Sequence, residues 1–181
     1  MTSVYIGSVY IGLDAGHGTV SEAEHWLDDV LTATGLDAED GVVACTHLVR
    51  APWPHVAVSI AVPGPTVPAG LPEVPEPLAR AAEQARAEHV AGRSGRASHF
   101  PGRERLKGTL TVADLVAVSA IDAVVVLGAP PPAPDTVVDT RDFIRPQWRD
   151  GRLTLVTTAA PDGRIAPFEV PNPTPCCADH A

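Results

Sequence analysis

Two short groups of soft metal ligands are the first residues that could do chemistry. Cys45-Thr46-His47 sets a thiol and an imidazole two positions apart, which alternation along a strand turns to one face. Cys176-Cys177-Ala178-Asp179-His180 offers two further thiols and a second imidazole within five residues. Folding the second group back on the first would complete a tetrahedral site. Zinc is its natural occupant and copper(I) the alternative. The metal ligands expected are therefore Cys45, His47, Cys176, Cys177 and His180. The competing reading is core packing for the Cys-x-His pair and a proline-punctuated tail for the rest.

A second chemistry is anion recognition. The stretch 92–108 carries Arg93, Arg96, Arg103, Arg105 and Lys107 against the single acid Glu104, so it is locally basic in a chain whose net charge is -9. Arginine forks suit phosphate or carboxylate, and the interspersed Ser94, Gly95 and Ser98 leave backbone free to wrap a small anionic ligand or an acidic partner. Arg93, Arg96, Arg103 and Arg105 are the expected anion-binding residues. Phe100 is the only aromatic there, which argues against stacking of single-stranded nucleic acid.

A third candidate is Gly12-Leu13-Asp14-Ala15-Gly16-His17-Gly18-Thr19-Val20, expected as a glycine-rich turn between a strand and a helix, where free N–H groups would converge on an anion. Its spacing is neither that of a P-loop nor that of a dinucleotide-binding fingerprint. The six residues Leu13 to Gly18 resemble the first zinc-ligand motif of the N-acetylmuramoyl-L-alanine amidases. That resemblance implies His17 as an alternative metal ligand and a metal-dependent hydrolase as the alternative function. The rest of that family's pattern is not matched. Glu22 and Glu24 come too soon, His55 lacks the surrounding motif of the second histidine ligand, and Glu169 stands alone shortly before a proline.

The run Asp135, Asp139, Arg141, Asp142, Arg145, Arg149, Asp150 and Arg152 could pair carboxylates for acid–base work, but interstrand ion pairs on a wet sheet face are the plainer reading. No Gly-x-Ser-x-Gly or Ser-His-Asp pattern is present in sequence. Whether the chain is an enzyme stays open at this level. Trp53 and Trp148 are candidate partner contacts or core closures.

The elements that must hold these residues are read from periodicity. Ser21 and Glu24 form a capping box, and Ala23, Trp26, Leu27, Val30, Leu31 and Thr34 make one helical stripe ending at Gly35. Val42 to Val49 and His55 to Val62 are β-branched strands separated by a proline-laden connection. Pro-rich loops are expected at 63–77 and 129–134, and Pro77 opens a second helix with Leu78, Ala81, Ala82, Ala85 and either His89 or Val90 inward, ending near Gly92. A short helix at Thr111 to Ala120, strands at Ile121 to Leu127 and at Asp135 to Ile144, and a hairpin of Arg152 to Thr158 with Arg164 to Val170 complete the chain. Ser3 to Gly7 is echoed by Ser8 to Gly12, five residues in one β-rich run.

The whole is expected to be α/β or α+β, one domain over 1–170 with a tail at 171–181, built on a mixed sheet of about six strands with two or three helices. The 181 residues, 45% apolar and 19% charged, suit that size. The acidic balance excludes general nucleic-acid binding. The apolar start lacks a basic leader and is too short to span a bilayer, so a soluble cytoplasmic protein is expected, with no membrane role. An odd cysteine count with two adjacent argues against a disulfide framework. The function these features suggest is a binding or accessory protein that holds a metal or anionic ligand or docks on a protein partner. A homodimer is the base-rate expectation.

Overall fold

A computed structural model describes residues 7–171. The mixed α+β class is as expected, but the sheet is larger: ten strands in one open, mixed sheet, with three α-helices among the described residues. The elements are β1 (Ser8–His17), α1 (Val20–Thr34), β2 (Val43–Val49), β3 (His55–Pro63), α2 (Ala79–Val90), β4 (Arg96–His99), β5 (Thr109–Thr111), α3 (Val112–Val118), β6 (Ala123–Val126), β7 (Val137–Asp139), β8 (Gln147–Arg149), β9 (Arg152–Ala159) and β10 (Ile165–Pro167). The sheet runs β1-β3-β2-β4-β8-β9-β10-β7-β5, and β6 pairs in parallel with β9. The strands beyond those expected are β4, β5 and β8, of four, three and three residues. These are too short to show a clear alternation and are set by pairing with their neighbours in the sheet.

In the N-terminal half the sheet is covered on both sides. Leu27, Val30 and Leu31 of α1 pack with Val56, Val58, Ile60 and Val62 of β3. Ala81 and Ala85 of α2 lie on Val49 and Ala57, which belong to the other face. β3 is therefore buried from His55 to Val62, which accounts for its unbroken apolar run. A second core gathers Phe100, Leu106, Leu115, Ile121, Leu153 and Leu155 around α3, β6 and β9.

Three local expectations change. The helix cap of α1 is Thr19, whose hydroxyl accepts from Glu22 N while the Glu22 carboxylate accepts from Thr19 N. The expected pair, Ser21 and Glu24, has the same spacing, but Glu24 is occupied by arginines from elsewhere in the chain. The expected glycine-rich turn is instead strand: β1 continues to His17, with a bulge between Leu13 and His17. Gly12 is required by packing. A Cβ there would stand 1.9 Å from the carbonyl oxygen of Ala82 in α2. The strand expected from Asp135 to Ile144 survives only as Val137–Asp139, because Arg141 and Asp142 take φ of 51° and 50°.

Other readings agree closely. β2 and β3 pair antiparallel from Val43↔Ala61 to Val49↔His55, and Gly35 caps α1 at φ 74°. Thr111 caps α3 by accepting from Asp114 N, and β9 and β10 pair as the expected hairpin. Asp162 joins Gly163 in supplying positive φ at its turn. Of the echoed segment, the second copy opens β1, and Ser3 to Ile6 lie outside the described residues. No helix among the described residues is long and apolar enough to cross a membrane.

Because α2 seats its backbone directly on Gly12, Gly12→Ala forces the helix off the sheet. The expected result is a loss of about 3 kcal/mol in stability, read as a lower midpoint of chemical denaturation at an unchanged slope.

Candidate functional site

Alternation along β2 does put Cys45 and His47 on one face, the face covered by α2. The register carries a row across three strands: Gly12 in β1, Ser59 in β3 and Cys45 in β2. The last turn of α2 adds Glu88 and His89. Ser59 Oγ then lies 2.8 Å from His47 Nε2 and 2.8 Å from His89 Nδ1, while His47 Nδ1 is 3.3 Å from Glu88 Oε2. Glu88 also accepts from the Ser94 hydroxyl, and from Gln84 Nε2 at 2.9 Å.

The proton directions are set by which atoms can only accept. A charged Glu88 accepts, so His47 Nδ1 donates to it; His47 Nε2 is then a lone pair and accepts the Ser59 proton. Ser59 Oγ in turn accepts from His89 Nδ1–H, leaving His89 Nε2 as a buried lone pair without a partner. Both rings are neutral. Burial pulls the His47 pKa down against the opposing pull of Glu88, and burial, aided by the nearby His47, pushes His89 down to about 3.

Glu88, His47 and Ser59 have the connectivity of a hydrolytic triad, and no local pattern in the sequence signals it because the three come from separate elements. Exposure decides its role. Ser59 is completely buried, and one of its two lone pairs accepts from His89. Its partner His47 is covered by Gly95, where a Cβ would come within 2.8 Å of His47 Cε1 and 3.2 Å of Cys45 Cβ. A nucleophile with no open side cannot meet an acyl group, so these groups form a polar strut that fixes α2 and the segment after it.

Cys45 is equally enclosed, and burial pushes its thiol far above the ordinary range, which disfavours the thiolate a metal would need. The other half of the expected metal site, Cys176, Cys177 and His180, lies outside the described residues. His17 ends β1 beside Trp26, ring centres 5.3 Å apart, with its Nε2 buried and unpartnered. Its neighbour Asp14 is committed elsewhere. Asp14 Oδ2 meets His55 Nε2 at 2.7 Å, Asp14 Oδ1 accepts from Gly16 N at 2.8 Å, and His55 Nδ1 donates to Trp53 O at 2.6 Å. That buried pair ties the 50–54 connection, with half-exposed Trp53, to the β1 bulge. Among the described residues no three His, Cys, Asp or Glu side chains are gathered as a metal would require.

The arginines are divided by the fold. Arg96 opens β4 and pairs with Glu24 and Glu169, the Nε to Glu169 Oε1 distance being 2.5 Å. Arg145 holds Glu24 with two donors at 2.9 and 3.1 Å and stacks on Phe143 at 4.4 Å. Burial opposes the charge of Glu24, yet these two guanidiniums hold its carboxyl below the usual range. Arg93 and Arg96 share a depression of about 370 Å³ with Ser94, Gly95, Gln147, Trp148 and Arg149. Arg103 and Arg105 line a different one with Asp37, Glu39 and Asp40. Arg103 donates to Ser98 O, and Arg105 faces Glu104 at 3.5 Å. In the arginine–aspartate run, Asp139 accepts from Arg141 N within its own turn and Asp142 from the remote Gly108 N. Arg149, which the sequence offers only as an interstrand ion pair, lies instead in the same depression as Arg93.

Comparison with known proteins adds no assignment: no family model, no curated protein and no solved structure matches the chain.

Ser59→Ala removes the shared partner of two buried imidazole nitrogens and is expected to cost about 3 kcal/mol, measured by chemical denaturation. The histidines also set an acid dependence. Their folded pKa values lie below the unfolded 6.5, so the unfolded chain binds protons that the fold refuses. For His89 the stability is full above about pH 6.5 and falls as pH drops toward about 3, by about 1.4 kcal/mol per pH unit, and His47 adds to the loss in the same direction. Urea titrations across that window should show the slope, and it should be shallower in His89→Asn.

Proposed function

We propose that the protein binds a small anionic ligand in the depression walled by Arg93, Arg96, Arg149 and Gln147. One observation carries the reading: three arginines and no carboxylate line this space in a chain of net charge -9. Arg93 and Arg149 are exposed and have no carboxylate partner among the described residues, so their charge is available to a ligand. Arg96 borders the same space, but its guanidinium is held by Glu24 and Glu169, so the charge offered to a ligand is that of Arg93 and Arg149.

The placement has a structural cause. The Trp148 backbone N–H donates to Gly95 O at 2.9 Å, drawing the β8 edge against the segment that carries Arg93. Gln147 and Arg149 alternate with Trp148 along β8, so both project to one side of the strand. Guanidinium forks match the paired oxygens of phosphate and carboxylate groups, and the volume of about 370 Å³ falls in the range of small-molecule sites. This favours the binding-protein reading with an anionic ligand over the metal-dependent hydrolase.

Calorimetric titration with inorganic pyrophosphate tests it. Binding is expected, weakening as salt rises, and falling about tenfold in Arg93→Ala and in Arg149→Ala. Arg103→Ala should bind as the parent does. Absence of pyrophosphate binding, or binding indifferent to Arg93 and Arg149, overturns the assignment.

A further inference from the structure

Resting on that anion-binding reading, we infer that the ligand carries an apolar tail, an aromatic ring or short acyl chain, attached to its anionic group. The depression of the three arginines does not end at Arg149. A second one, of about 300 Å³, shares Gln147 and Arg149 with it and continues over Leu127, Val156 and Phe168.

Leu127 is 46% exposed and Phe168 62% exposed, and Leu48, on the wall of the first depression, is 77% exposed. Single exposed apolar side chains need no explanation. Here three of the eight exposed large ones among the described residues stand along one continuous groove, which does. The groove's charges sharpen the point. Arg145 and Glu169 also border the second depression, but Arg145 is spent on Glu24 and Glu169 on Arg96. Beyond the shared Gln147 and Arg149 its lining is then Leu127, Val156 and Phe168, while the unspent guanidiniums stand at the junction, Arg149, and in the first depression, Arg93.

A ligand matched to this surface puts its phosphate or carboxylate against Arg93 and Arg149 and lays an apolar body across Leu127 and Phe168. A plain oxyanion would leave those side chains in water. Burying them, together with the tail, releases apolar surface from solvent and adds to the affinity.

The test compares inorganic phosphate with phenyl phosphate by calorimetry on the full chain. Phenyl phosphate is expected to bind about tenfold more tightly. Phe168→Ser and Leu127→Ser should bring phenyl phosphate down to the affinity of phosphate without changing phosphate itself. Arg149→Ala should weaken both. Both side chains are exposed, so the variants should keep the parent's circular dichroism spectrum. Equal affinities for the two ligands, or no response to Phe168 and Leu127 while phosphate still binds, overturns the tail and leaves the anion site standing. If neither ligand binds, the anion reading itself fails. Sedimentation with phosphatidic acid vesicles by a chain that ignores soluble phenyl phosphate also overturns the inference, since the groove would then face a membrane surface.

Discussion

The structure hangs on the hydroxyl of Ser59. It hydrogen-bonds both His47 and His89, and through His47 it reaches Glu88, so a single oxygen couples β3, its neighbour β2 and the last turn of α2. In a dry interior such a chain of donors and acceptors is worth most when every link is made. Here only the final atom, His89 Nε2, lacks a partner. The chain needs α2 at close quarters, and Gly12 permits it by presenting no side chain to Ala82.

The same contacts fix the segment that leads out of α2. Ser94 donates to Glu88, and Gly95, at φ +123°, lies flat over His47 and Cys45. This forces Arg93 outward and starts β4 at Arg96, whose strand neighbour is Thr46. The buried polar network thus sets the position of the arginines by steric and hydrogen-bond constraint, without itself touching solvent. Its resemblance to catalytic machinery is a matter of residue types. Residue burial separates the two roles.

The Glu24, Arg96, Arg145 and Glu169 cluster acts differently. Its members are partly exposed, where ion pairs add little to stability, but the doubled grip of Arg145 on Glu24 and its stacking on Phe143 leave few alternative orientations. The cluster joins α1 to the strands of the C-terminal half and neutralises the charges it uses. The unspent charge on this face is what remains, Arg93 and Arg149, and that remainder gives the groove its polarity.

From residue order alone, the 3.6-residue stripe of α1, the glycine at its end, the paired strands β2 and β3 and the β9–β10 hairpin could all be read, because each is written in neighbours within a few positions. The same alternation placed Cys45 and His47 on one face correctly. The partners of those residues could not be read. Ser59 sits in an apolar run, Glu88 and His89 at the end of an alanine-rich helix, and nothing local to Gln147-Trp148-Arg149 marks it as a strand. Which arginines share a pocket was settled by β8 pairing with β4, and which serine meets which histidine by the closeness of α2 to Gly12. Both are contacts between segments remote along the chain, and the free energy that selects them comes from packing and burial that exist only once the whole sheet has formed.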